Sequence, residues 1–292
     1  MEKVRVFVGT DRSQLIGVKV LEYSIRQHTS LPVEVVPMMN LPVRPPIDPA
    51  QDQRTGFSFS RFCIPKLCNY EGRAIYMDAD MLVFKDIKSL WEIPFDGAKV
   101  IIQEELTARQ SSTADKNKAP KKRIKQCSVM LLDCSRLDWD VDKIVDGLDE
   151  KRYDYAGLMY DMCLLREDEI AYRIPFEWNS LEYWDENTAL IHYTDMGTQP
   201  WVCNNNRHGG LWINALRSAI DDGFVSLDEV KEDIHLGYAR PSLLWELKME
   251  NPGYRWYLTG MDKLRGFRAH RVAYENRVAH LRKLRLAAGV PA

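Results

Sequence analysis

The sequence predicts an α/β protein with a central sheet flanked by helices. Three observations support this. The chain has 292 residues, 45% hydrophobic and 28% charged, close to globular averages and enough for one large core. Its first 38 residues read strand, helix, strand, the pattern of a parallel βαβ unit. Beyond them, short apolar runs bounded by turn residues alternate with segments of helical spacing.

The elements follow in order. "VRVFVGTD" reads as a buried strand ending in a turn, "GVKVLEYSIRQHT" sets Val18, Leu21 and Ile25 at helical spacing, and "PVEVVPM" is a second strand. "NLPVRPPIDPAQDQR" is a proline-rich loop, and "SFSRFCIPKLCNY" reads as a helix that Pro65 shortens or kinks. "RAIYMDADMLVF" reads as one strand, "KDIKSLWEI" as a short helix or turn, and "AKVIIQEE" as a strand. Residues 107 to 125 are polar, with six basic residues from Lys116 to Lys125, and read as a mobile loop. "CSVMLLDC" is a strand, "WDVDKIVDGLDE" and "YAGLMYDMCLLRED" are helices, and "ALIHYTD" is a strand carrying His192 at its end. Residues 211 to 236 are mainly helical. The expected division is one domain over 1–250 and a basic helical tail over 251–292.

Composition excludes some function classes. A net charge of −2 gives no global attraction to nucleic acid or an anionic surface. The six cysteines form no CxxC pair and suit reduced thiols, the N-terminus enters a strand without a signal-peptide pattern, and no apolar run reaches 18 residues. A cytoplasmic protein is expected. The tail is different: residues 253–292 hold nine lysines and arginines against Asp262 and Glu275, with Phe267, Tyr274, Val278 and Leu281 at helical spacing. It suits a helix packed on the body or on a second subunit, or an amphipathic helix on an anionic membrane surface.

The chemistry centres on Asp78 and Asp80 in "AIYMDADMLVF". On one strand, positions i and i+2 point to the same face, so two like charges would sit together at the end of an apolar segment. Three readings compete. The pair can be solvated residues capping a strand end. It can be an acid/base pair, although strand neighbours sit too close for the roughly 6.5–9.5 Å of an inverting glycosidase. It can hold a divalent cation at the strand-end crevice where ligands of parallel α/β sheets bind. His192, ending another apolar run, adds an imidazole that favours Mn²⁺ over Mg²⁺ if the two segments meet.

Taken together and in order, these residues resemble glycosyltransferase family 8 from about Val4 to Trp201. "VFVGTD" with "YSIRQH" is similar to the family's first strand and helix. "FSFSRFCIPKLCNYEGRAIYMDADMLVFKDIKSLW" is similar to its most distinctive stretch, and "HYTDMGTQPW" to its His…Pro-Trp segment. The resemblance implies a GT-A fold: a Rossmann-like nucleotide half joined to an acceptor half around one mixed sheet. It implies a nucleotide-sugar donor, usually a UDP-sugar, retention at the anomeric carbon, and Mn²⁺ (Mg²⁺ as the alternative) on Asp78, Asp80 and His192. By position, Gly9, Thr10 and Asp11 would line the uracil and ribose. Ala79, Gly197 and Gln199 would also contact the donor, Arg61 would reach its sugar and diphosphate, and Asp161 would stand beside the sugar. The chain departs from the family at Gln199, where the family has a lysine, at Gln126-Cys127-Ser128, and at Met162, where the family has glutamine. Arg207, His208 or the basic loop could supply the missing charge.

The resulting expectation is a metal-dependent, retaining hexosyltransferase acting on a glycan or glycolipid acceptor. It would be cytoplasmic, with the tail able to touch the inner membrane face, and a homo-oligomer is compatible. The alternatives are a catalytically degenerate nucleotide-sugar-binding protein and a sugar nucleotidyltransferase. The latter would carry a glycine-rich N-terminal loop, which "VGTDRSQLIG" lacks.

Overall fold

A computed structural model describes residues 3–104, 125–249, 255–287 and 289. Residues 107–124 of the expected mobile loop lie outside them. A six-stranded mixed sheet runs in the order β2-β1-β3-β6-β5-β7, and a small sheet in the order β4-β9-β8 lies beside it. The strands are β1 Val4–Gly9, β2 Val33–Met38, β3 Arg73–Asp78, β4 Met81–Val83, β5 Val100–Gln103, β6 Val129–Asp133, β7 Ile170–Ile174, β8 Ser180–Leu181 and β9 Leu190–His192. β1 runs parallel to β2 and β3, β6 is antiparallel to β3 and β5, and β7 is parallel to β5. This is the helix-flanked mixed sheet the sequence predicts.

The near-continuous apolar strands follow from burial on both faces. Side chains alternate across a strand. Val4, Val6 and Val8 of β1 join one core with Ile75, Met77, Val129 and Leu131. Phe7 joins the opposite core with Ala74, Tyr76, Met130 and Leu132. Each fully buried valine or isoleucine contributes about 1.5–3 kcal/mol. A third core, around Trp201 and Trp212, packs the inner side of helix α1, Leu15–His28, against the helices after residue 209.

Three expected elements are revised. "RAIYMDADMLVF" is two strands: β3 stops at Asp78, and β4 begins at Met81 in the other sheet. Pro65 does not kink a long helix but sits in the first turn of the four-residue helix Ile64–Leu67, where its missing N–H costs nothing. The helix expected through Asp161 spans only Tyr155–Met159, and Met162 adopts φ +53°, a conformation no helix interior contains. Two strands went unread: β8 has only two residues, and β7, five residues long, buries only its end isoleucines and so shows no apolar run.

The tail forms two helices, Arg255–Leu264 and Arg271–Ala287. Asp262 accepts from Ser242 N at 2.7 Å and Ser242 Oγ at 2.6 Å. Arg285, buried, donates to Pro46 O at 3.0 Å and Ile47 O at 2.6 Å. The expected apolar stripe holds in part: Tyr274 and Val278 are exposed, Leu281 is half-buried and lines a cavity, and Phe267, in the connection before the last helix, packs against the third core. Among the described residues, no helix is long and apolar enough to cross a membrane.

Candidate active site

Sheet register assembles the cluster. β1 and β3 are parallel, so Gly9 pairs with Asp78 where both strands end. The chain then turns through Ala79 and Asp80 into β4, where Met81 pairs with His192 of antiparallel β9. Asp78 and Asp80 therefore do not share a face of one strand. They converge from the end of one sheet and the start of another, and strand pairing brings His192 beside them. The turn needs close packing: a Cβ at Gly17 of α1 would lie 2.9 Å from Ala79 O.

Ligand atoms of Asp78, Asp80 and His192 all lie within 4.8 Å of one another, the one such grouping among the described residues. His192 Nε2 is 3.0 Å from Asp80 Oδ1. Its Nδ1 is 2.9 Å from Asn179 Oδ1, while Asn179 Nδ2 donates to Gln103 Oε1 at 2.7 Å. The amide is thus assigned with its oxygen toward the imidazole, so Nδ1–H donates and Nε2 is aimed at the carboxylates. Burial alone would lower the His192 pKa, but Asp80, Asp78 and Glu182 outweigh it and hold the imidazole above its ordinary value. A proton on Nε2 or a cation between the groups satisfies this arrangement. Two carboxylates and one aimed imidazole make a donor set that fits a divalent ion of the Mn²⁺ or Mg²⁺ kind.

Each carboxylate has its own positioning contact. Tyr76 OH donates to Asp78 Oδ1 at 2.7 Å, and burial raises the Tyr76 pKa well above its ordinary value, so the phenol keeps its proton. Arg61 donates to Tyr76 OH at 3.0 Å and to Cys127 O at 2.9 Å, lies 3.8 Å from Asp78 Oδ1, and stacks 4.4 Å from the Tyr76 ring centre. It is a buried strut behind Asp78. Gly9 has to be glycine here, because a Cβ would sit 2.4 Å from the Tyr76 hydroxyl. Gln199, fully buried, donates to Asp80 Oδ2 at 2.7 Å and Tyr193 O at 3.2 Å.

The other expected site residues are more dispersed. Thr10 and Asp11 line a cavity of about 180 Å³ beyond the end of β1, and Asp11 accepts from Ser13 N at 2.8 Å. Ala79 is buried in the turn, and Gly197 N donates to Asp195 Oδ1 at 2.9 Å. Asp161 is exposed on its turn, with its carbonyl accepting from Lys125 Nζ at 2.9 Å. The neighbouring Met162 and Arg61 line one small apolar cavity. Of the candidates to replace the family's lysine, Arg207 is exposed, and burial pushes the His208 pKa down. Sequence reasoning missed Tyr76, although i and i+2 alternation toward Asp78 would have found it. It also missed Asn179, which lies in an irregular segment with no local signal.

Known proteins bear on this geometry. Residues 48–134 match the sequence profile of glycosyl transferase family 8. Protein CDI of Arabidopsis thaliana is 29% identical over 250 residues, covering 78% of this chain and 91% of that protein. The galactosyltransferase LgtC, solved with donor and acceptor sugar analogues, matches with a TM-score of 0.52 at 14% identity, over 74% of this chain and 96% of LgtC. The bifunctional glycosyltransferase WbbM matches with a TM-score of 0.52 at 13% identity over 73% of this chain, which spans 49% of WbbM's length. At these identities the structural likeness shows a shared GT-A fold. The profile match covers the segment carrying Arg61, Asp78 and Asp80, so that segment is similar to glycosyl transferase family 8, on a fold that the solved glycosyltransferases share.

Proposed function

We propose that the chain is a retaining hexosyltransferase that moves a sugar from a UDP-sugar to a glycan or glycolipid acceptor, with Mn²⁺ as the working ion and Mg²⁺ as a substitute. The observation that carries this is the Asp78–Asp80–His192 cluster at the strand ends, beside the cavity bounded by Thr10 and Asp11. A bound divalent ion would supply charge neutralisation to the departing diphosphate. The chain's own residues do the rest. Tyr76 and Arg61 hold Asp78, Gln199 holds Asp80, and Asn179 keeps His192 Nε2 directed inward. Thr10 and Asp11 take the nucleoside. Asp161, on its exposed turn, is the carboxylate on the sugar side, and Met162 beside it shapes the sugar pocket. Retention follows the family resemblance rather than any distance in the site.

A donor screen tests the reading. UDP release from a panel of UDP-sugars is measured with Mn²⁺, with Mg²⁺ and with a chelator. Release that needs the ion and favours one UDP-sugar supports the proposal. Tight UDP-sugar binding without turnover, across several acceptors, would turn the conclusion to a binding protein.

A further inference from the structure

We propose that the C-terminal helix Arg271–Ala287 belongs to the donor site, forming the outer wall of the nucleotide pocket, with Arg277 contacting the bound nucleoside diphosphate. This rests on the nucleotide reading above and assigns the tail a role within it.

The cavity that Thr10 and Asp11 line is closed on its far side by this helix, through Ala273, Arg277, His280 and Leu284. These positions lie three or four residues apart, so they form one helix face. Two anchors hold that face in place. Just before the helix, His270 Nε2 lies 2.8 Å from Met196 O, in the loop that leads to Gln199. Near its far end, Arg285 is buried against the carbonyls of Pro46 and Ile47. The helix is therefore pinned at two points, and the space between them is left open.

That open space is the informative part. A helix that only packed on the body would fill the gap with apolar contacts. Here a cavity of about 180 Å³ remains, with Thr10 and Asp11 beside Met38 and Phe57 on one wall and Arg277 and His280 beside Leu281 and Leu284 on the other. Arg277 reaches the strand-end loop. Its Cγ lies 4.0 Å, and Asp11 Oδ2 3.8 Å, from the position a Cβ would take on Gly56. One guanidinium nitrogen donates to Arg54 O, whereas Nε is buried without an acceptor. A buried charged donor without a partner is costly, and an oxygen of the bound nucleotide would satisfy it. The electrostatics agree. Gln199 is neutral, buried and already engaged with Asp80, so it brings no charge to a diphosphate. An arginine from the tail supplies one.

The test uses the full-length protein and UDP with Mn²⁺, followed by calorimetry and by trypsin cleavage mapped within residues 271–287. Arg277→Gln should weaken UDP binding by at least about tenfold, the loss of one charge-assisted contact, and Arg277→Lys should recover part of it. Arg282→Gln, an exposed position on the same helix, should bind UDP as wild type does. His280→Ala gives a second probe of the wall should Arg277→Gln fold poorly, and it should weaken binding several-fold. UDP should slow tryptic cleavage in the helix, which a purely structural wall would not show. UDP affinity unchanged in both Arg277→Gln and His280→Ala, with no protection of the helix, would overturn the inference while leaving the transferase reading intact. Tighter binding in these variants would also overturn it, by making the helix a competitor for the pocket. A wild-type protein that binds no nucleoside diphosphate would overturn the functional reading itself, and this inference with it.

Discussion

The metal-ligand cluster and the turn that carries Asp161 rest on different supports. In the cluster, each group is held from behind: Asp78 by Tyr76, Asp80 by Gln199, His192 by Asn179, all within 2.7–2.9 Å. Asp78 and His192 end paired strands, and Asp80, in the turn between β3 and β4, is tied to them by Tyr193 N, which donates to its carbonyl at 2.8 Å. Asp161 sits beyond a five-residue helix, next to a residue in the left-handed region, and is exposed. Sheet register gives positional accuracy, while a turn tolerates substitution. The departures from the family pattern follow this division in part. The three proposed ligands are intact, whereas Met162 falls on the turn.

The largest expected effect breaks the cluster. Asp80→Asn removes a ligand charge without changing volume, and it leaves His192 Nε2 without its anionic neighbour. Mn²⁺-dependent UDP binding, measured by calorimetry, should fall by more than about a hundredfold, since even an outer contact is worth 10–100-fold in metal affinity. Asp78→Asn should behave alike. Wild-type binding in both variants would remove the metal site from the proposal.

Next comes the positioning amide. Asn179→Ala frees the His192 ring to rotate and takes the acceptor from Nδ1–H. Metal affinity should drop by about 10–100-fold with the fold preserved. This variant separates a cluster that is merely close together from one that is oriented, because an unoriented imidazole would not register the loss.

Much of this was legible in the chain. The βαβ start, the mixed α/β class and the set Asp78, Asp80, His192 all come from runs whose burial on both faces writes an apolar pattern. What was not legible depends on pairing across sequence distance. The break between β3 and β4 is invisible because "MDADMLV" reads as one strand until the second sheet captures Met81. Asn179 acts through a strand partner and has no local pattern. The tail was the least legible. Its stripe divides: Tyr274 and Val278 face solvent, while Leu281 lines a cavity together with the half-buried Arg277 and with Leu284.

A smaller effect is expected from Tyr76→Phe, which deletes the hydrogen bond to Asp78 but keeps the ring under Arg61. A loss of about 1–3 kcal/mol in metal-dependent UDP binding is the upper range, since Asp78 keeps the charge of Arg61 nearby. Gly9→Ala sharpens the point. Its Cβ collides with the Tyr76 hydroxyl in the wild type, so part of its cost should vanish in the Tyr76→Phe background. Additive costs would mean that the glycine serves strand packing rather than the Tyr76–Asp78 contact.

The smallest expected effect on binding belongs to Asp161→Asn, and it is the variant that tests the comparison most directly. Asp161 is exposed, and its carbonyl rather than its carboxylate accepts from Lys125. Converting the carboxylate to an amide should leave both UDP affinity and metal dependence within about twofold, the range of surface substitutions away from buried networks. Turnover should respond differently. If this carboxylate faces the reacting sugar, removing its charge strips a group that stabilises positive charge at the anomeric carbon, and kcat should fall by about 10²–10⁴-fold, as for other positioned acid–base groups. The two readouts then separate the halves of the site: the cluster sets nucleotide affinity, and the turn sets turnover. A variant with normal turnover would remove Asp161 from the sugar side and direct the search to a carboxylate on another segment. Glu182 would be the first to examine: burial raises its pKa, and it stands close enough to His192 for the two charges to interact.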